Sequence, residues 1–267
     1  MTDLYDEIIN IKNSGIKAVL CIVTNTKGSA PRKAGAKMIV YYDGRISGSI
    51  GGGSLEKKIK EDALNVLKEN KAAALKYDLL SQLGMCCGGT VEIFIEPIVN
   101  TKRLFIFGAG HTGQALAVFA AETGFEIYLI DDRKEYLDQS VNESVYKMNL
   151  HHTAALQSIP FDLNTFIVIT TYSHQIDRDI LAYCIKRDFA YLGMIGSRRK
   201  AEITKKMFIE SNLASSAELD KVHMPIGVDI NAETPAEIAI SIIAEIVKTK
   251  NNKTEKVKNN ILCEKTQ

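Results

Sequence analysis

Apolar side chains recur at helical spacing at Leu4, Ile8 and Ile11, and Gly15 predicts the stop of a short amphipathic helix. "KAVLCIVT" then reads as a buried strand and "NTKGSAPRKAG" as a loop. In "AKMIVYYDGRISGSI" a Tyr-Asp-Gly turn separates two strand-like runs, which predicts a hairpin. Three glycines precede the helical pattern "SLEKKIKEDALNVLKEN", with Ser54 as its expected N-cap. "AALKYDLL" and "TVEIFIEPI" predict two further strands around the irregular "SQLGMCCGG". Residues 1–97 are therefore expected to form a small α+β domain.

From residue 103 onwards strands and helices alternate. "RLFIF", "FEIYLID", "NTFIVITT" and "AYLGMIG" are apolar runs of strand length, and "TGQALAVFAAETG" and "DRDILAYCIKRD" are helical. This alternation predicts an α/β domain over residues 103–250, a parallel sheet with helices on both faces. Its last helix lies in "ETPAEIAISIIAEIVKTK", where Thr234, Pro235 and Glu237 supply N-cap, first-turn proline and capping-box acid. Residues 251–267 are polar and lysine-rich and are expected to be a mobile tail. No internal repeat is visible.

Composition narrows the function classes. The 33 basic and 32 acidic residues nearly cancel, so no global field draws in nucleic acid or a membrane surface. No apolar run approaches the ~20 residues of a membrane span, and the acidic N-terminus lacks a signal-peptide core. Five cysteines in 267 residues do not suggest a disulfide framework. A soluble, cytoplasmic protein with free thiols is expected.

The strongest chemical signal is "FGAGHTG". Gly108, Gly110 and Gly113 match G-x-G-x-x-G between a strand and a helix, the phosphate turn of a Rossmann-like domain. His111 lies inside the turn, and Asp131 ends the next strand, where an acid can bond a ribose diol. Arg133 leaves open a ligand with a 2′-phosphate. A second anion site is suggested by "GSRRK", where Ser197 caps a helix whose first turn holds Arg198, Arg199 and Lys200; a solvated basic turn is the alternative. In the first domain, the loop with Lys27, Ser29, Arg32 and Lys33 and the segment "SGSIGGGSLE" both offer hydroxyls and N–H groups to a phosphate or polar heterocycle. The pair Cys86-Cys87 on a glycine-rich turn offers soft-ligand chemistry for molybdenum or copper, against the commoner structural role of cysteine. His174 falls beside Asp177 after a strand, a cleft position, whereas His151 and His152 read as loop or surface residues. No Ser–His–Asp set or H-E-x-x-H supports a hydrolase.

Taken in order, "GSAPRKAGAKM", "SGSIGGGSLE", "CCGGTVEIFIEP", "FGAGHTGQALA", "LIDDR", "YLGMIGSRRK" and "IGVDINAETPAEIAISIIAEIV" resemble the XdhC/CoxI family, the xanthine dehydrogenase accessory factors. The resemblance runs from about residue 15 to 248. It implies a molybdenum-cofactor chaperone rather than an enzyme. Such a protein assists sulfuration of the cofactor with a cysteine desulfurase, then its insertion into an apo molybdenum hydroxylase, and commonly assembles as a dimer. The resemblance places the family's cysteine-glycine motif on Cys87, Gly88 and Gly89, with Cys87 as a candidate contact to molybdenum or sulfur. The ligand expected at Gly108, Gly110, His111, Gly113, Asp131, Ser29, Arg32, Ser197, Arg198 and Arg199 is molybdopterin or its dinucleotide. "TTYSH" departs from the family's usual threonine-histidine at this point, which leaves His174 without an assigned role. An NAD(P)-dependent oxidoreductase is the alternative, disfavoured because the second half shows no proton-donating group in sequence.

Overall fold

A computed structural model describes residues 3–86, 88–139 and 143–263, with side chains of the last helix described as far as residue 251. The chain forms two compact units, residues 1–100 and 101–267.

The first unit contains α1 (Leu4–Ser14), β1 (Ala18–Lys27), β2 (Lys37–Tyr41), β3 (Ile46–Gly48), α2 (Gly53–Glu69), β4 (Ala73–Asp78) and β5 (Thr90–Pro97). Its antiparallel sheet has the order β3-β2-β1-β5-β4, with Cys21 opposite Met38 on one side and Ile95 on the other. Period-two alternation sends Val19, Cys21, Val23, Met38 and Val40 to one face, where Leu55, Ile59 and Ala63 of α2 cover them. The other face takes Ile11, Leu4 and Ile8 of α1 against Ile39 and Tyr41. Gly15, with φ +73, ends α1 in the left-handed region as its sequence predicts. The cap of α2 differs from expectation. Gly52 holds the N-cap position, and Ser54 lies inside the first turn.

The second unit contains β6 (Arg103–Phe107), α3 (His111–Ala121), β7 (Glu126–Asp131), α4 (Lys134–Asp138), β8 (Val145–Asn149), α5 (His152–Ser158), β9 (Thr165–Ile169), α6 (His174–Cys184), β10 (Tyr191–Met194), α7 (Arg198–Glu210), α8 (Ser216–Leu219) and α9 (Pro235–Cys263). All pairs in its sheet are parallel, in the order β10-β9-β6-β7-β8. Such strands are buried on both sides, which is why "RLFIF" and "TFIVI" are continuous apolar runs with every residue buried. One face packs on Leu116 and Ala117 of α3 and Ile242 and Ile246 of α9. The opposite face packs on Leu156 of α5, Ile180 and Leu181 of α6 and Phe208 of α7. Strand order reverses between β6 and β9, which opens a crevice at their carboxyl ends, the place where sheets of this kind bind ligands. The Thr234–Glu237 capping box forms as predicted, with Thr234 N–H on Glu237 at 3.0 Å and Glu237 N–H on the Thr234 hydroxyl at 3.3 Å. The helix it starts continues to Cys263, beyond the predicted end near residue 250.

Candidate functional site

The turn after β6 needs two of its three glycines for packing. Gly108 has φ +106, and a Cβ there would lie 2.2 Å from the Thr170 carbonyl oxygen. A Cβ on Gly113 would lie 1.8 Å from the Gly108 carbonyl oxygen, so the helix sits directly on the turn. Gly110 is different. Its φ is an ordinary −68, and an added Cβ would meet nothing within 4 Å. Gly110 is also the N-cap of α3 and brings no side chain to the helix end. The first-turn N–H groups, beginning at exposed His111, thus face an open space with the positive end of the helix dipole behind them.

Asp131 ends β7 as expected, but its carboxylate is turned inward. Its side chain is 2% exposed, and it accepts from the Ala109 N–H at 2.8 Å and from Arg133 through N–H, Nε and Nη2 at 2.9 to 3.0 Å. Burial pushes this carboxyl up, and the bonds from Arg133 and from the Ala109 and Arg133 N–H groups outweigh it and hold it below the usual carboxylate range. Asp131 therefore props the phosphate turn from behind. Both of its oxygens are engaged within the protein, and the residue lines the same cavity as Gly108. Arg133 lies between the rings of Tyr136 and Tyr172, 4.0 Å from each centroid. The exposed neighbour Asp132, met by the Tyr172 hydroxyl at 3.4 Å, lines this cavity with Asp131, Gly108, Leu150, His152 and Tyr172. His152 opens α5 and is half-buried there, not a surface residue. Burial and the adjacent His151 lower its pKa.

At the ends of β9 and β10 the fold joins His174 and Asp177, already close in sequence, to Lys200. Asp177, 2% exposed, accepts from the Thr171 N–H at 3.1 Å and the Thr171 hydroxyl at 2.7 Å. Its other oxygen lies 3.4 Å from His174 Nδ1, and His174 Nε2 lies 2.7 Å from Lys200 Nζ. Burial pushes the Asp177 carboxyl above the usual range, opposed by the bonds from Thr171 and His174. Ser197 caps α7 by accepting from the Lys200 N–H at 3.3 Å. The three basic residues that follow it are all exposed; only Lys200 lines the adjoining cavities, and Arg198 bonds Asp229. Asp177, His174 and Lys200 lie in the half of the chain whose sequence shows no obvious proton-donating site.

In the first unit the loops singled out by sequence lie against one another. Ser29 pairs with Gly88, and a Cβ on Gly89 would lie 2.2 Å from the Ser29 carbonyl oxygen. Gly51 sits against Pro31, where a Cβ would come within 2.8 Å of the ring. Ser29 and Arg32 are exposed on this edge, as is Cys86. Cys87 lies outside the described residues. The glycine segment does not offer all its donors to a ligand. The Glu56 carboxylate takes the Ile50 and Gly52 N–H groups at 3.1 and 2.8 Å and the Ser49 hydroxyl at 2.7 Å. Although burial opposes it, these bonds hold the Glu56 carboxyl below its ordinary value. A groove of about 1150 Å³ between α1 and the β2–β3 hairpin contains neither Ser29 nor Arg32; its Glu7 accepts from the Tyr41 and Ser47 hydroxyls and ties helix to hairpin.

Among the described residues no group of three or more His, Cys, Asp or Glu is placed to hold a metal ion, and no helix is long and apolar enough to cross a membrane. Buried Cys21 and Cys184 have thiols pushed up to about 12 by desolvation, which makes them poor nucleophiles and ligands.

Comparison with known proteins agrees with this architecture. A family model described as the XdhC Rossmann domain matches residues 104–246, and one described as the XdhC and CoxI family matches residues 11–78. The uncharacterized protein YqeB of Escherichia coli (strain K12) is 33% identical over 94% of this chain, which spans 47% of YqeB's own length. A probable xanthine dehydrogenase subunit of Bacillus subtilis (strain 168) is 23% identical over 88% of this chain and 93% of that protein. The molybdenum cofactor insertion chaperone PaoD of Escherichia coli (strain K12) is 23% identical over 91% and 86%. A crystal structure of a xanthine dehydrogenase from Bacillus halodurans shares the fold, with a TM-score of 0.50 at 21% identity over 94% of this chain and 95% of that one. With both of its units matched in order, the chain belongs to the XdhC and CoxI family.

Proposed function

We propose that this protein is an accessory chaperone that binds the molybdenum cofactor and assists its delivery to a xanthine dehydrogenase-type hydroxylase. The observation that carries the reading is the turn at Gly110: an uncapped helix N-terminus facing open space, on a sheet edge built to receive a phosphate. Molybdopterin carries one phosphate and its dinucleotide form a pyrophosphate and a ribose. The turn and His111 would hold the phosphate, and the cavity lined by Asp131 and the more exposed Asp132 would take a ribose. In the first unit, Ser29, Arg32 and the cysteine-glycine segment would contact the molybdenum cofactor, with Cys87 as the contact to molybdenum or sulfur. The family membership and the names of PaoD and the Bacillus subtilis protein support this reading. Sulfuration with a cysteine desulfurase, an apo hydroxylase client and a second copy of this chain belong to it as partners. When bound, the cofactor would supply the redox chemistry of the client, and this chain's part is to hold and release it.

The test is identification by mass spectrometry of small molecules released from the purified protein, with molybdenum measured on the same sample. Molybdopterin or its dinucleotide is expected, and NAD(P) in its place would overturn the assignment. One observation favours that second reading, an NAD(P)-dependent oxidoreductase: the chain Asp177–His174–Lys200 lies at the sheet edge where such enzymes place proton-transfer groups. Sustained oxidation of NAD(P)H by the isolated protein would establish it.

A further inference from the structure

The cavity at the carboxyl end of β10 has a volume of about 430 Å³, and its lining combines the polar side chains of His174, Ser197, Lys200 and Ser241 with Ile195, Ile226 and Ile238. A second space of about 90 Å³ shares His174, Ile195 and Lys200 with it and adds Asp177, Arg178, Met194 and Ile203. We propose that this cavity is a binding site, separate from the glycine turn, for a small acid that joins an oxyanion to an apolar body.

Three features argue for an anion. Lys200 is the cation lining the larger cavity, and no acidic side chain lines it among the described residues. The ammonium carries three donors, and His174 takes one, so two remain for a ligand. Lys200 also sits in the first turn of α7, where the helix dipole repels a cation and rewards an anion brought beside it.

The lysine is held in place for this purpose. With Lys200 donating, His174 Nε2 is the acceptor, so the ring proton belongs on Nδ1, facing Asp177. Asp177 is fixed in turn by Thr171, and the preceding Thr170 carbonyl is the atom that excludes a side chain at Gly108. The cation is therefore linked through His174 and Asp177 to Thr171, which with Thr170 packs against Gly108. The isoleucine side chains in the same lining offer nothing to a bare ion and a contact surface to a hydrocarbon or aromatic group. Inorganic phosphate would use half of the site. An aromatic phosphate or carboxylate would use all of it.

The inference needs neither the cofactor assignment nor the oxidoreductase reading. It is tested by following acetylation of Lys200 by mass spectrometry, with Lys206 of the same helix as internal control. Inorganic phosphate and phenyl phosphate serve as probes at constant ionic strength against sodium chloride. Phenyl phosphate should slow Lys200 labelling at least about fivefold and leave Lys206 unchanged. Its half-maximal concentration should be about tenfold below that of inorganic phosphate, the effect of burying a phenyl group. Gly110→Val, which obstructs only the glycine turn, should keep this protection. Unchanged Lys200 labelling would overturn the proposal. So would equal potency of the two probes, which indicates screening of a surface lysine, or loss of protection in Gly110→Val, which puts the anion on the glycine turn.

Discussion

The glycines of the phosphate turn separate binding from folding. A side chain at Gly110 meets only open space, whereas one at Gly113 meets backbone at 1.8 Å. Gly110→Val should therefore change unfolding free energy by no more than about 1 kcal/mol and abolish retention of a phosphorylated cofactor. Gly113→Ala should lose about 3 kcal/mol or fail to fold. Chemical denaturation and molybdenum content measure both, and an intact cofactor load in Gly110→Val would remove the turn from the site.

Asp131 makes a pH prediction with a definite sign. Its carboxyl is held below the unfolded-chain value of about 3.9. Its contribution is present above that pH and is lost as pH falls through the lower folded value. Asp131→Asn should cost about 3 kcal/mol at neutral pH, as expected for breaking a buried pair. Its stability should also fall less steeply than that of the wild type below about pH 4. Parallel acid titrations of the two proteins would show that Asp131 does not prop the turn. Asp132→Asn, by contrast, should leave stability unchanged within about 0.5 kcal/mol and weaken a ribose-bearing ligand selectively.

At the scale of elements, sequence was informative wherever a pattern is long or a cap is local. The strands buried on both faces and the Thr234 capping box were legible for that reason. β8 was not, because this edge strand buries only Val145 and its remaining residues, Tyr146 to Asn149, carry no alternation. Ser54 misled in the same way: it is the residue type that caps helices, but Gly52, with φ +72, takes the chain into α2. Glu56 then fills the donors of the glycine segment, a pairing local enough to test directly. Glu56→Ala should speed amide exchange at Ile50 and Gly52 about tenfold, the equivalent of one charge-assisted bond. Exchange of β9 should not change. Unaltered rates at Ile50 and Gly52 would mean that the loop is held by Pro31 packing alone. The His174–Lys200 contact, 26 residues apart in sequence, had no local signal at all. Only the sheet order β10-β9-β6 brings it to the edge beside the glycine turn.

For the molecule as a whole, motif order was the most informative feature, since seven short segments across both units identified the family that the comparisons confirm. What no segment carries is the outcome of binding. A chaperone must hold its ligand and give it up to a client, so its effect is visible only in another protein's activity. The most direct measurement is the activity of an apo molybdenum hydroxylase incubated with molybdenum cofactor and a cysteine desulfurase, with and without this protein. The account predicts higher hydroxylase activity with the wild-type protein, and no gain with Gly110→Val at equal folded concentration. No gain from the wild type, together with steady NAD(P)H oxidation by the isolated protein, would contradict it.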